Sequence, residues 1–246
     1  MGCLGNTNFS DMETTLETRQ LSKSFNGLKV LENVSFSLPK GTITAIFGEN
    51  GSGKTTLFHI ISGFLKADSG QVLLKGTDLS SNSSVDISRL GVGRVWQTPR
   101  ICKNLSLLDN LILASKNHPG ESVANYFINP RRIRKEELMR KERAKIVTEE
   151  IGLAGMELKA AGSLSFGQQK LLSTGMLLMN DCELLLMDEP FAGVNGLMID
   201  QISKVLIHLK AQGNTICIIE HNRAKARFIS DNTLTLVKGV MEQKIN

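Results

Sequence analysis

The chain has 246 residues, a formal net charge of +5 and 41% hydrophobic residues, enough for one large α/β domain around a single principal core. No apolar stretch approaches the roughly 20 residues that span a bilayer, so any membrane role would have to come through a partner. Cys3, Cys102, Cys182 and Cys217 are widely spaced with no C-x-x-C pair, which excludes a cysteine metal motif and reads as reduced thiols.

The opening Met-Gly-Cys-Leu-Gly-Asn has neither the apolar core of a signal peptide nor the Ser/Thr at position 6 of a myristoylation motif. Residues 1–16 therefore read as an untargeted tail, and residues 17–242 as the folded domain. Residues 30–38 and 71–74, with turns at Lys40-Gly41 and Ser69-Gly70, read as strands of an antiparallel side sheet. Residues 42–47, 184–187 and 215–219 are nearly all apolar, as expected of strands buried on both faces of a parallel sheet. Helices are expected at 54–62 and 197–211, the second ended by Gly213.

From about 98 to 179 the pattern turns helical and charged, and this stretch reads as a helical subdomain inserted in the α/β core. Within it, residues 131–145 carry eight Lys/Arg against three Glu, a local excess equal to that of the whole chain. The interspersed Glu, the absence of aromatics to stack on bases, and apolar Ile133, Leu138 and Ile146 suit a solvated amphipathic helix better than a nucleic-acid surface.

The most informative run is Gly48-Glu49-Asn50-Gly51-Ser52-Gly53-Lys54-Thr55-Thr56, directly after an apolar strand. This is the full G-x-x-x-x-G-K-[ST] pattern with the flanks it requires. A glycine-rich turn aims backbone N–H groups inward, and a helix begins with its positive end at the same point, so phosphates are cradled. Lys54 is placed to reach the β- and γ-phosphates, and the Thr55 hydroxyl to ligate Mg²⁺.

A second constellation is Leu184-Leu185-Leu186-Met187-Asp188-Glu189, a buried strand ending in two carboxylates. Taken alone it is as consistent with a plain strand end. Beside the phosphate loop it places Asp188 at the carboxyl edge of the sheet to hold Mg²⁺, and Glu189 to polarise an attacking water. The third is Leu164-Ser165-Phe166-Gly167-Gln168, in which Ser165 and Gln168 make a capping box opening a helix expected to run to Leu177. Its N-terminus is a second potential phosphate site, with Gly167 permitting close approach, although capping alone would explain the motif.

These motifs, with Gln97 between them and His221 after one more apolar strand, occur in the order and spacing of an ABC-type ATPase, and the chain resembles that family from Leu21 to about Gly239. The resemblance implies a P-loop NTPase core with an antiparallel β side sheet and a helical subdomain. By the same resemblance Gln97 is the Q-loop residue and a Mg²⁺ ligand, residues 164–168 are the signature, Glu189 is the catalytic base and His221 the switch histidine. Phe25 takes the place of the aromatic that stacks on adenine. The stretches FHIISGFLKADSG (58–70), QTPRICKNLSLLDNL (97–111) and PFAGVN (190–195) look like the LivG-type ATPases of branched-chain amino-acid importers. Lipopolysaccharide-export ATPases share the Pro-Phe-Ala-Gly-Val phrase, and the remaining alternatives are a soluble ABC ATPase acting on nucleic acid or ribosomes and a non-hydrolysing regulatory or assembly subunit that uses ATP only to dimerise.

The resemblance also implies an assembly. Ser165 and Gly167 would act in trans across a head-to-tail dimer with a second cassette, identical or not. Gln97 would open a segment, 98–108, facing membrane permease subunits, with an extracytoplasmic solute-binding protein in the complex and the chain itself cytoplasmic, peripheral on the inner face of the cell membrane. Departures from the common pattern are Phe166 in place of glycine, Asn195 in place of aspartate, and a signature helix that lacks the usual arginines and carries Gly175, which costs ~1 kcal/mol in helix propensity relative to alanine.

Overall fold

The protein is described by a computed structural model over residues 13–116, 130–221 and 223–243. Residues 1–12 of the expected tail, Cys3 among them, lie outside the described residues. Two sheets and a set of helices stack in layers. The first sheet is antiparallel, ordered β2-β1-β4-β5, from β1 (Thr14–Phe25), β2 (Leu28–Pro39), β4 (Ser69–Leu74) and β5 (Thr77–Asp78). The second runs β10-β9-β3-β8-β7-β6, from β3 (Ile43–Phe47), β6 (Val92–Val95), β7 (Leu184–Asp188), β8 (Thr215–Glu220), β9 (Asn232–Val237) and β10 (Val240–Gln243). Its strands are parallel apart from β10, which folds back on β9 as a hairpin.

The apolar runs 42–47, 184–187 and 215–219 form β3, β7 and β8, and the reason is two-sided burial. Alternate residues enter two separate cores. Leu184, Leu186, Cys217, Ile219 and Ile46 face the antiparallel sheet and helix α1 (Lys54–Ile61), where Leu57, Phe58 and Ile61 pack. Leu185, Met187, Ile216, Ile218 and Ala45 face the other way, onto helices. The helices on that side are α3 (Leu107–Leu113), α4 (Pro130–Glu150), α5 (Phe166–Met179) and α6 (Gly196–Ala211). Among the described residues there are also the short helices α2 (Ser84–Arg89) and α7 (Arg223–Arg227) and a 3-10 turn at Ala161–Ser163.

Several elements escape the pattern reading. β1 starts at Thr14, inside the stretch read as tail. Its sequence TTLETRQLSKSF is mostly polar and its register slips around Gln20, which has a φ of 48°, so no clean alternation marks it. The basic segment does form a helix, but its buried face is Ile133, Ala144, Val147 and Ile151. Leu138 and Ile146, expected on that face, are 57% and 49% exposed, because the 3.6-residue period carries them to the opposite side.

Gly175 also has a role that propensity did not show. A Cβ there would lie 2.9 Å from Ile151 Cδ1 and Leu111 Cδ2 and 3.1 Å from Val147 Cγ1, so the missing methyl is what lets α3, α4 and α5 meet. Cys102, Cys182 and Cys217 are free thiols, as expected, and burial pushes the Cys182 thiol up to about 11.

Candidate nucleotide site

The phosphate loop joins the end of β3 to α1. Gly53 caps the helix at a φ of 102°, and a Cβ there would sit 2.7 Å from the Val30 carbonyl, so only glycine lets the chain turn into the helix this close to β2. Lys54, 5% exposed, folds back along the loop and its Nζ donates to the Gly48 and Glu49 carbonyls, each at 2.8 Å. Burial lowers the Lys54 pKa, and the nearby carboxylates of Glu189 and Asp188 oppose that shift. The lysine and both acids therefore share one electrostatic environment.

The acids sit where a parallel sheet ends. Asp188 is the last residue of β7, in register with Ile219 of β8. Glu189 follows with a φ of 50°, a left-handed conformation that costs a non-glycine residue of order 1 kcal/mol and is held by its N–H donating to the Ile219 carbonyl at 3.0 Å. That turn lifts the Glu189 side chain out of the sheet into a clamp. Gln97 Nε2 donates to Oε2 at 2.8 Å, and His221 Nε2 lies 2.6 Å from Oε1. Gln97 comes from the segment after β6, His221 from the end of β8, and Glu189 from the end of β7, three adjacent strands.

Asp188 is held by a group that the sequence reading missed. Arg94, in the middle of β6, donates from Nη2 to Asp188 Oδ2 at 2.9 Å, with both side chains nearly closed to solvent. Its guanidinium carbon stands 4.0 Å from the centroid of the Trp96 ring. An arginine inside the otherwise apolar Val92-Gly93-Arg94-Val95 was the available signal, because a charge on a doubly buried strand must have a partner. The missed acid Glu220, 4% exposed, accepts from the Phe191 N–H at 2.9 Å and pins the chain after Pro190.

A cavity of about 750 Å³ opens beside the loop, between Gly48, Glu49, Asn50, Gly51 and Ser52 on one side and His221, Arg223 and Thr235 on the other. Phe25 lies outside its lining. It is 44% exposed at the end of β1, with Lys23 Nζ 5.6 Å from its ring centroid. Thr55 is exposed on the first turn of α1 and Thr56 is half-buried. The signature residues 164–168 are not part of the cavity lining. Ser165 caps α5 through the expected box, its Oγ accepting from Gln168 N–H at 3.3 Å while Gln168 Oε1 accepts from Ser165 N–H at 2.9 Å. Gly167 packs against Met198 of its own chain, whose Cγ would be 2.2 Å from a Cβ at that position.

The family profile described as ABC transporter matches residues 31–192. A probable branched-chain amino acid transport ATP-binding protein, LivG, of Methanocaldococcus jannaschii is 40% identical over 211 residues, covering 86% of this chain and 81% of that protein. The protein of the same description from Archaeoglobus fulgidus is 37% identical, covering 91% and 86%. Two solved structures superpose on nearly the whole fold at 36% identity, each covering 93% of this chain and 89% of the other. One is a nucleotide-free ATP-binding cassette from an ABC transporter, with a TM-score of 0.79. The other is an ATP-binding cassette of an ABC transporter in its ADP conformation, with a TM-score of 0.80. A phosphate loop, a carboxylate pair at the sheet edge, and a glutamine and histidine closing on the second carboxylate thus stand in a chain that belongs to the ABC transporter family, as one of its ATP-hydrolysing cassettes.

Proposed function

We propose that this cassette energises import of branched-chain or related amino acids, as half of a cassette pair bound to membrane permease subunits. The substrate class rests on the LivG relatives. The mechanism rests on one observation, the Glu189 carboxylate gripped between Gln97 and His221 beside the phosphate loop.

In this reading the loop amides and Lys54 bind the triphosphate of ATP, and Glu189 orients the water for in-line attack. His221, already on Glu189, would contact the γ-phosphate. The donors at this corner suit Mg²⁺. They are the Thr55 hydroxyl, the Asp188 carboxylate and the Gln97 amide oxygen, all hard oxygens and too few to form a closed protein cage, as expected where phosphates and water complete the shell. Bound there, the ion would neutralise charge on the β- and γ-phosphates. Gln97 holds Glu189 through Nε2, so its amide oxygen would remain for the ion.

The capping box leaves the Ser165 hydroxyl hydrogen free, since its Oγ only accepts from Gln168 N–H, and in this reading the far side of the γ-phosphate takes its donor from across a cassette pair. A second cassette would supply its own Ser165-like group there, and this chain's Ser165 and Gly167 would serve the neighbour's nucleotide. Residues 98–108 after Gln97 would face the permease, at the inner face of the cell membrane, and a solute-binding protein would deliver the cargo outside. Among the described residues no helix is long and apolar enough to cross a membrane. The test is isolation of the tagged chain from detergent-solubilised membranes. A second cassette and integral membrane subunits should copurify, and deleting the gene should abolish uptake of labelled leucine. Recovery without membrane proteins, or unchanged uptake, would overturn the proposal.

A further inference from the structure

Lys170 lies on the first turns of α5, five residues beyond Ser165, and is only 3% exposed. Its Nζ donates to three main-chain carbonyls, Glu189 at 2.6 Å, Ala192 at 2.9 Å and Pro190 at 3.3 Å. A buried ammonium bonded to carbonyls rather than to a carboxylate is costly to desolvate. That cost shows in its pKa, lowered by burial to about 8, with Glu220, Glu189 and Asp188 acting in the opposite sense. The mechanism above gives this group no task.

Its surroundings do. The three carbonyls belong to the turn that carries Glu189 in its left-handed conformation. Glu220 holds the same turn from β8 through the Phe191 N–H. The start of α5 is meshed with the continuation of that turn. Gly193 lies against the Phe166 ring, with 3.4 Å from a Cβ built there to Cε1, and Gly167 lies against Val194 and Met198. The first turns of α5 thus meet residues 189–198 at three points, and Lys170 is the polar one.

We propose that Lys170 is a positioning residue that couples the signature helix to the backbone of Glu189, so that engagement of Ser165 by the neighbour's nucleotide is felt at the base acting on this chain's own. The coupling rests on the reading of Glu189 and Ser165 given above. A shift of α5 by a fraction of an ångström changes three hydrogen bonds to one turn, and that turn sets where the carboxylate points. The lysine thereby links the two nucleotides of a cassette pair within one polypeptide.

The experiment compares Lys170→Met, Lys170→Gln and Lys170→Arg with the wild-type full-length chain. It measures ATP turnover, affinity for a fluorescent ATP analogue and melting temperature. The Met and Gln variants should bind the analogue within about 2-fold of wild type yet turn over at least about 10-fold more slowly, and the Arg variant should keep turnover within about 3-fold. Wild-type turnover in the Met or Gln variant would overturn the coupling. So would failure of both to fold, or equal losses of affinity and turnover, each of which marks a lysine that only supports the fold. Glu189→Gln is measured in parallel. If it hydrolyses ATP at the wild-type rate, the reading of Glu189 falls and the coupling with it. If it is inactive while the Lys170 variants are normal, the coupling alone falls.

Discussion

Arg94 and Asp188 form an ion pair at 2.9 Å on neighbouring strands β6 and β7, with side chains 3% and 11% exposed. The pair ties the strand leading to Gln97 to the strand ending in Glu189, so the two partners of the clamp cannot drift apart independently. Removing one member of a buried pair leaves the other charge uncompensated, whereas removing both is often close to neutral. Arg94→Met is therefore expected to lower stability by about 3 kcal/mol, and Arg94→Met with Asp188→Asn by less than the sum of the single changes. Urea denaturation of the four proteins of that cycle measures it, and strict additivity would show that the pair is not coupled.

Glu189 and Lys54 separate chemistry from binding. Glu189→Gln keeps the shape and the Gln97 contact but loses the carboxylate that orients water, so ATP should still bind while turnover falls by roughly 10² or more. Lys54→Ala should lose both affinity and turnover, because its Nζ is the cation in the cradle and also ties down the Gly48 and Glu49 carbonyls. Equilibrium nucleotide binding beside steady-state hydrolysis distinguishes the two. Retained affinity in Lys54→Ala would contradict the cradle.

Gly175→Ala sets helix propensity against packing. The substitution gains about 1 kcal/mol as an isolated helix position. The new methyl would press on Ile151, Leu111 and Val147 at 2.9 to 3.1 Å, and overpacking of that kind costs about 1–3 kcal/mol. Packing should win, with a net loss of about 1 kcal/mol in chemical denaturation. A stabilised variant would mean that α3 and α4 can back away from α5.

Lys170 makes stability depend on pH with a defined sign. Its folded pKa, about 8, lies below that of a free lysine, so between the two values the unfolded chain holds more protons than the folded one. Stability attributable to this group therefore rises with pH across that window and is least below pH 8. Lys170→Met removes the effect. Subtracting its denaturation free energy from that of wild type between pH 7 and 10.5 should give a difference that moves in favour of wild type, and a flat difference would refute the assignment.

Much of the site could be read from local order. The phosphate loop, the strand ending in Asp188-Glu189 and the Ser165 capping box are contiguous motifs whose geometry follows from backbone rules over a few residues, and each is found in the expected element. The apolar runs likewise marked β3, β7 and β8, which are covered on both faces, whereas β6 and β9 escaped because Arg94 and the polar Asn232, Thr233 and Thr235 interrupt them. Residues 131–145 were legible as a helix, but not the face it buries, since its few apolar residues lie on both sides and only the neighbours α3 and α5 decide which are covered. β1 was illegible because hydrogen bonds to β2 and β4, not its own alternation, hold it straight.

What only the tertiary structure decided is which groups meet across strands. Gln97, Glu189 and His221 converge through parallel neighbours far apart in sequence, and the partners of Arg94, Lys170 and Glu220 are set by that same registry. A buried charge announces in the sequence that it needs a partner, but the partner is chosen by strand order and by the turn at Glu189, which exist only once the sheet has assembled.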